Sequence, residues 1–247
     1  MQFELFPLLE RMIEFYQQPR GRQRFEDYLQ MLRGDDPNNM EMPLPYFNPM
    51  AKDHVPALLV QLREIGAEAI MEQVIAEVNR QIKEDASLLN ATFRVALSLA
   101  DDRHGAWTNQ YSTHYSNTFK PKGFLNYQFS SPLFWTSEEQ DSALVKHRTL
   151  ETLWRTVYHQ QNPFPETLAQ HLQQEAFVQK KMGKTTIEVT EEIELVQELY
   201  LAKQDAEEQN IIIPFLYGDL AAESLGYQSL GLKAYEGLEL AFFLINS

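Results

Sequence analysis

The run ADDRHGAWTNQYSTHYSNTF, residues 100–119, concentrates groups able to do chemistry more densely than any other stretch of the chain. Asp101 and Asp102 offer carboxylates and Arg103 a cation. His104 and His114 carry imidazoles that titrate or coordinate near neutral pH, and Trp107, Tyr111 and Tyr115 supply flat aromatic area. Two chemistries follow. As a metal site, Asp101, Asp102, His104 and His114 form a mixed carboxylate–imidazole set of the kind that holds a divalent Zn²⁺, Mn²⁺ or Fe²⁺, although their spacing matches no standard site. As a ligand pocket, Arg103 holds an anionic group, Trp107 and Tyr111 stack on a ring or sugar, and His104 and Asn109 fix its orientation. The plainer account is a polar turn rich in Ser, Thr and Asn, in which Tyr111, Tyr115 and Phe119 pack at helical spacing. On residue types alone, the plainer account weighs more.

Other reactive residues are easier to place. His147 falls on the apolar stripe of its helix and reads as a core histidine bonded to backbone; the sharper reading makes it a third ligand or a general base reaching the 100–119 run. His54 follows Asp53 just before Pro56, where such residues serve a helix start. Arg20, Arg22 and Arg24 in QPRGRQRFEDY point in different directions on a helix and read as a solvated helix start, with a phosphate site as the lesser reading. Dinucleotide and phosphate-loop glycine patterns, H-E-x-x-H, G-x-S-x-G and EF-hand spacings do not occur.

These groups need a scaffold, and the apolar periodicity supplies one. Residues 3–16 carry Leu5, Leu8, Leu9, Met12, Ile13 and Tyr16 as one helix face. A second helix spans about 22–33 and ends at Gly34. DDPNNMEMPLPYFNPMAKDHVP, with five prolines, is an extended loop that packs across a surface. Residues 56–83 read as the longest helix, with Gly66 inside it. TFRVALSLADD alternates apolar and polar residues and reads as a strand, and GFLNYQFSSPLFW as a second extended segment. SEEQ at Ser137 is a capping-box pattern opening a helix with the stripe Ala143, His147, Leu150, Trp154 and Val157, on which Glu151 pairs with Arg155. Helices follow over 166–182 and 190–209, with a short strand at TTIEV between them. The C-terminal part reads as short helices with tight turns, one of them stopped by Gly226.

The expected fold is therefore mainly α (α+β): a single globular domain, 1–247, with a small β-sheet element around residues 92–99 and 124–130. An N-terminal helical half (1–90) and a C-terminal helical half (137–247) flank a central strand and loop region (91–136). At 247 residues the chain can bury a substantial core. Its formal charge of −14 repels a phosphate backbone and argues against nucleic-acid partners. The absence of cysteine excludes disulfides and thiolate chemistry and fits a reducing compartment. With no basic leader and no apolar stretch near bilayer length, the expectation is a soluble, cytoplasmic protein without a membrane partner.

Functionally, these features describe an acidic helical protein that presents a small-ligand or partner-binding surface on the 101–119 loop. The alternative is a metal-assisted or acid/base enzyme acting on a small polar molecule through Asp101, Asp102, His104 and His114, with a divalent metal as its cofactor. A small molecule, a protein, or a second copy of the chain through the apolar C-terminal tail are the candidate partners.

Overall fold

Residues 92–100 and 128–136 run side by side and organise the N-terminal part of the protein. The computed structural model describes residues 1–83, 85, 87–88, 90–103, 108–184 and 190–246. Its elements, in chain order, are β1 (Gln2–Leu5), α1 (Leu9–Gln17), α2 (Arg22–Arg33), α3 (His54–Glu64), α4 (Ala67–Ile82), β2 (Thr92–Val95), β3 (Ser98–Ala100), α5 (Gln110–Phe119), α6 (Lys122–Asn126), β4 (Phe129–Ser130), β5 (Leu133–Trp135), α7 (Ser142–Gln161), α8 (Leu168–Lys181), α9 (Glu191–Lys203), α10 (Gln209–Tyr217), α11 (Asp219–Leu225), α12 (Glu236–Glu239) and α13 (Ala241–Asn246). The chain is mainly α with a small parallel sheet element, the class its sequence implies. No helix among the described residues is long and apolar enough to cross a membrane. Two compact units are present: Met1–Gln110 with Pro121–Leu153, and Tyr111–Lys120 with Trp154–Ser247.

In the first unit every strand pairing is parallel. β2 lies between β1 and β4, and β3 pairs with β5. Backbone bonds continue between the two sheets: Arg94 N–H donates to the Gln128 carbonyl, Ala96 to Ser130, Ser98 to Pro132, and Thr136 to Ala100. Phe93 and Val95 are buried while Thr92 and Arg94 are half-buried, which accounts for the alternation in TFRV. β3 and β5 are buried throughout, so their residues do not alternate. The second strand of the expected sheet starts later than residue 124. Lys122–Asn126 form α6, seeded by Pro121, whose carbonyl accepts the Phe124 and Leu125 N–H groups.

Two helix expectations change. Residues 2–5 are strand rather than the start of a helix, because pairing with β2 outweighs the stripe that Leu5 suggests. The other edge of β1 is held by a side chain: Asn79 Oδ1 accepts the Phe3 N–H at 2.9 Å and Asn79 Nδ2 donates to the Phe3 carbonyl at 2.8 Å. α1 then begins at Leu9, with Glu68 of α4 accepting the Leu8 and Leu9 N–H groups at 2.6 and 3.0 Å. The expected 56–83 helix is two helices. Gly66, in the left-handed region at φ 70°, separates α3 from α4.

α7 opens at Ser142, where Asp141 Oδ1 accepts the Leu144 N–H at 2.7 Å; Ser137 does not cap it and bonds elsewhere. In the part of α7 that belongs to the first unit, Val145, Thr149 and Leu153 are the buried residues. Thr149 hides on this face because its hydroxyl donates to the Val145 carbonyl of its own helix at 2.7 Å. His147 is consequently not in the core. Its side chain is 62% exposed and sits 3.5 Å from Glu151.

The second unit packs α5, the end of α7 and α8–α13 around Leu168, Leu172, Ile212, Phe215, Leu216 and Tyr217. Thr167 and Gln170 form a reciprocal capping box at α8, and Gly226 stops α11. Gly237 lets α12 approach α10: a Cβ there would lie 2.1 Å from the Phe215 carbonyl oxygen. Arg155 and Glu175 form a buried bidentate pair at 2.9 and 2.6 Å. His171 Nδ1 lies 2.7 Å from the Thr167 carbonyl, which only accepts, so Nδ1 carries the proton and Nε2 accepts from the Tyr115 hydroxyl at 3.0 Å. Burial pushes the pKa of His171, and that of His159, down to about 4. The strand expected at 185–189 lies outside the described residues.

Candidate functional site

Parallel strands deliver their C-terminal ends to one edge, and Asp101 and Thr136 are the first residues beyond β3 and β5. Such edges are where open α/β sheets commonly place polar groups for ligands, since the strands fix the backbone while the following loops leave it accessible. The pairing of Ala100 with Trp135 sets these two strand ends side by side.

Asp101 is the hub of this edge. It is 4% exposed and accepts hydrogen bonds from His54, Asn48 and the Arg103 backbone. Oδ1 receives His54 Nε2 at 2.9 Å and the Arg103 N–H at 3.3 Å, and Thr136 Oγ1 lies 3.2 Å away. Oδ2 receives Asn48 Nδ2 at 3.1 Å. Burial alone would raise its pKa; the hydrogen bonds from His54 and Asn48, the positive character of His54 and the Arg103 N–H outweigh it and hold the carboxyl below the usual aspartate range. Asp101 is thus a buried carboxylate at neutral pH.

That charge state assigns the histidine. An ionised carboxylate only accepts, so His54 Nε2 carries a proton, and in the neutral imidazole Nδ1 is the acceptor. The His54 side chain is 30% exposed, and Nδ1 has no partner among the described residues. His54 opens α3, and Asn48 is held from both sides. Its Oδ1 accepts the Met50 N–H at 3.0 Å, and its carbonyl accepts the Tyr16 hydroxyl at 2.8 Å. The Pro-rich loop thus packs, with Leu44 and Phe47 fully buried, and carries the groups that grip Asp101.

Asp102 has a different task. Its Oδ1 accepts the Ser137 N–H and the Thr136 hydroxyl, each at 2.9 Å, and its Oδ2 accepts the Ser137 hydroxyl at 2.6 Å. The Thr136 hydroxyl has one proton for two neighbouring carboxylates, and the shorter contact is to Asp102. Asp102 staples the chain after β5 to the chain after β3.

The other sequence-predicted residues scatter. Arg103 contributes its backbone to Asp101 while its side chain is exposed, and Asn109 is exposed. His104 and Trp107 lie outside the described residues. Tyr111 and His114 belong to the second unit. Tyr111 packs 6.3 Å from the Tyr217 ring and His114 Nδ1 lies 3.1 Å from the Tyr217 hydroxyl. Among the described residues no group of three His, Asp or Glu side chains is arranged to hold a metal ion.

His54, Asn48 and Thr136 are the site residues that sequence reasoning misses. The one local signal is a histidine at a helix start beside a loop dense in prolines; its separation of 47 residues from Asp101 carries none. Comparison with known protein families, with curated proteins and with solved structures finds nothing that matches this chain.

Proposed function

We propose that the chain binds a small polar molecule at the ends of β3 and β5 and that His54, aligned by Asp101, moves a proton on it. The observation carrying this reading is the 2.9 Å bond between His54 Nε2 and a buried, fully hydrogen-bonded carboxylate, with Nδ1 left open. A carboxylate behind an imidazole fixes its tautomer and stabilises the imidazolium formed when the other nitrogen takes a proton. Asn48 and the Arg103 N–H keep Asp101 from rotating, so the base is positioned before any ligand arrives.

Acylation by diethyl pyrocarbonate tests the base without knowledge of the ligand. His54 should react through Nδ1 faster than the more exposed His147, and Asp101→Asn should slow His54 about tenfold, equivalent to ~1.4 kcal/mol, while leaving His147 unchanged. Equal rates at the two histidines, with no effect of the substitution, would exclude an Asp101-assisted base.

A further inference from the structure

Arg24 is the one arginine of the QPRGRQRF run that the solvated-helix reading misplaces. It is 3% exposed, yet no ion pair among the described residues includes it. Its guanidinium lies 4.7 Å from the Tyr16 ring centroid and 5.3 Å from that of Phe15. Nη1 donates to the Gln18 carbonyl at 3.2 Å and Nη2 to the Ala51 carbonyl at 3.5 Å. Nε is buried and has no acceptor. A permanent cation buried with no carboxylate and one donor unmet is unfavourable unless something else neutralises it.

The surroundings name the missing partner. The Gln18 contact places the guanidinium at the α1–α2 turn, beside the N-terminus of the 12-residue α2. The first N–H groups of a helix lack intrahelical acceptors. Here no side chain caps them, and no acidic residue stands in the first turn. Arg22 and Arg24 occupy that turn instead, at the positive end of the helix dipole, where carboxylates are favoured and cations are not. A Cβ built on Gly21, the residue before this turn, would meet nothing within 4 Å.

We propose that the α1–α2 turn is an oxyanion site, in which the Arg24 guanidinium and the N–H groups of Arg22, Gln23 and Arg24 hold a phosphate-type group. The fork of Nε and an Nη is the geometry that grips two oxygens of such a group, and the helix N-terminus grips the others. Tyr16 joins this turn to the strand edge: its ring carries Arg24, its hydroxyl bonds Asn48, and Asn48 bonds Asp101. Resting on the reading of His54 as the base, the substrate is then an anionic small molecule anchored at Arg24 and acted on at His54. The oxyanion site itself does not depend on that reading.

Backbone and arginine Nε resonances of the ¹⁵N-labelled full chain test it, titrated with inorganic phosphate at constant ionic strength. The Arg24 Nε–H and the amides of residues 22–24 should shift saturably, with a dissociation constant of about 1 mM or tighter. Methyl phosphate separates the two sources: shifts equal to those from inorganic phosphate mean a site for a phosphate carried on an organic molecule, and shifts from inorganic phosphate alone mean a free-ion site. Arg24→Gln should weaken binding at least tenfold. Gly21→Asp, which fills the site with a capping carboxylate and strengthens the helix, should do the same in a protein at least as stable as wild type. His54→Gln should leave phosphate binding intact. Absence of saturable shifts in the wild type, or phosphate affinity unchanged in Gly21→Asp and Arg24→Gln, overturns the oxyanion site while leaving the reading of His54 standing. Phosphate binding with no Asp101 effect on His54 acylation does the reverse.

Discussion

Substituting Asp101 with Asn is the sharpest perturbation of the strand edge, because it keeps the shape and changes only charge and one acceptor. The amide oxygen can hold the place of Oδ1 and still receive His54 and Arg103. The amide nitrogen then faces Asn48 Nδ2 at 3.1 Å, donor against donor. Flipping Asn48 moves the conflict to the Met50 N–H that its oxygen now accepts. One buried hydrogen bond is therefore lost, worth ~1 kcal/mol net, and the others fall from charge-assisted to neutral, a further loss of about 0.5–1 kcal/mol each. The sum is about 2–3 kcal/mol at neutral pH. The pH dependence has a fixed sign. The native pKa of Asp101 lies below the ordinary value of 3.8, so its contribution is complete above that value and disappears as the pH falls through the native pKa. Urea unfolding of wild type and D101N, at pH 7 and at a series of pH values below 4, measures both quantities. A difference under about 0.5 kcal/mol at pH 7, or one that persists unchanged in acid, would refute the hub role of the carboxylate.

Three other outcomes follow from the second unit. Glu175→Gln takes the Glu175 carboxylate from the buried Arg155 guanidinium and should destabilise the chain by about 3–5 kcal/mol in urea unfolding; a change under ~1 kcal/mol means that the pair is open to water. Gly237→Ala, which would set a Cβ 2.1 Å from the Phe215 carbonyl, should lower the melting temperature by several degrees, corresponding to a strain of about 1–3 kcal/mol; an unchanged melting temperature would mean that α12 is free to move off α10. His171, buried neutral with its pKa near 4, resists protonation that the unfolded chain accepts near 6.5. Stability should thus fall with pH between 6.5 and 4, by on the order of 3 kcal/mol from this residue, and His171→Gln should flatten the slope in a plot of unfolding free energy against pH; an identical slope rules out a buried neutral histidine.

Local rules recover much of the scaffold. The apolar stripes of α2, α8 and α9, the alternation in TFRV and the stop at Gly226 are all set by neighbours in sequence, so periodicity finds them. Long-range pairing overrides local pattern elsewhere. QFEL reads as helix until β2 lies beside it, and the buried face of α7 stays hidden because Thr149 satisfies its own hydroxyl. The site divides in the same way. Asp101 and Asp102 are visible at the end of a strand, but their separate tasks depend on Thr136 and Ser137, which only the β3–β5 pairing brings near. His54 and Asn48 reach Asp101 through a loop with no periodic signal, and Arg24 looks like its solvated neighbours until α1 and the 48–51 segment close over it.

The most direct measurement of the central claim is the ¹⁵N spectrum of the His54 imidazole at neutral pH. An aligned base predicts the Nε2–H tautomer, an Nε2 proton protected from exchange with water, and loss of that protection in D101N. A rapidly exchanging ring, or an Nδ1–H tautomer indifferent to residue 101, would contradict it.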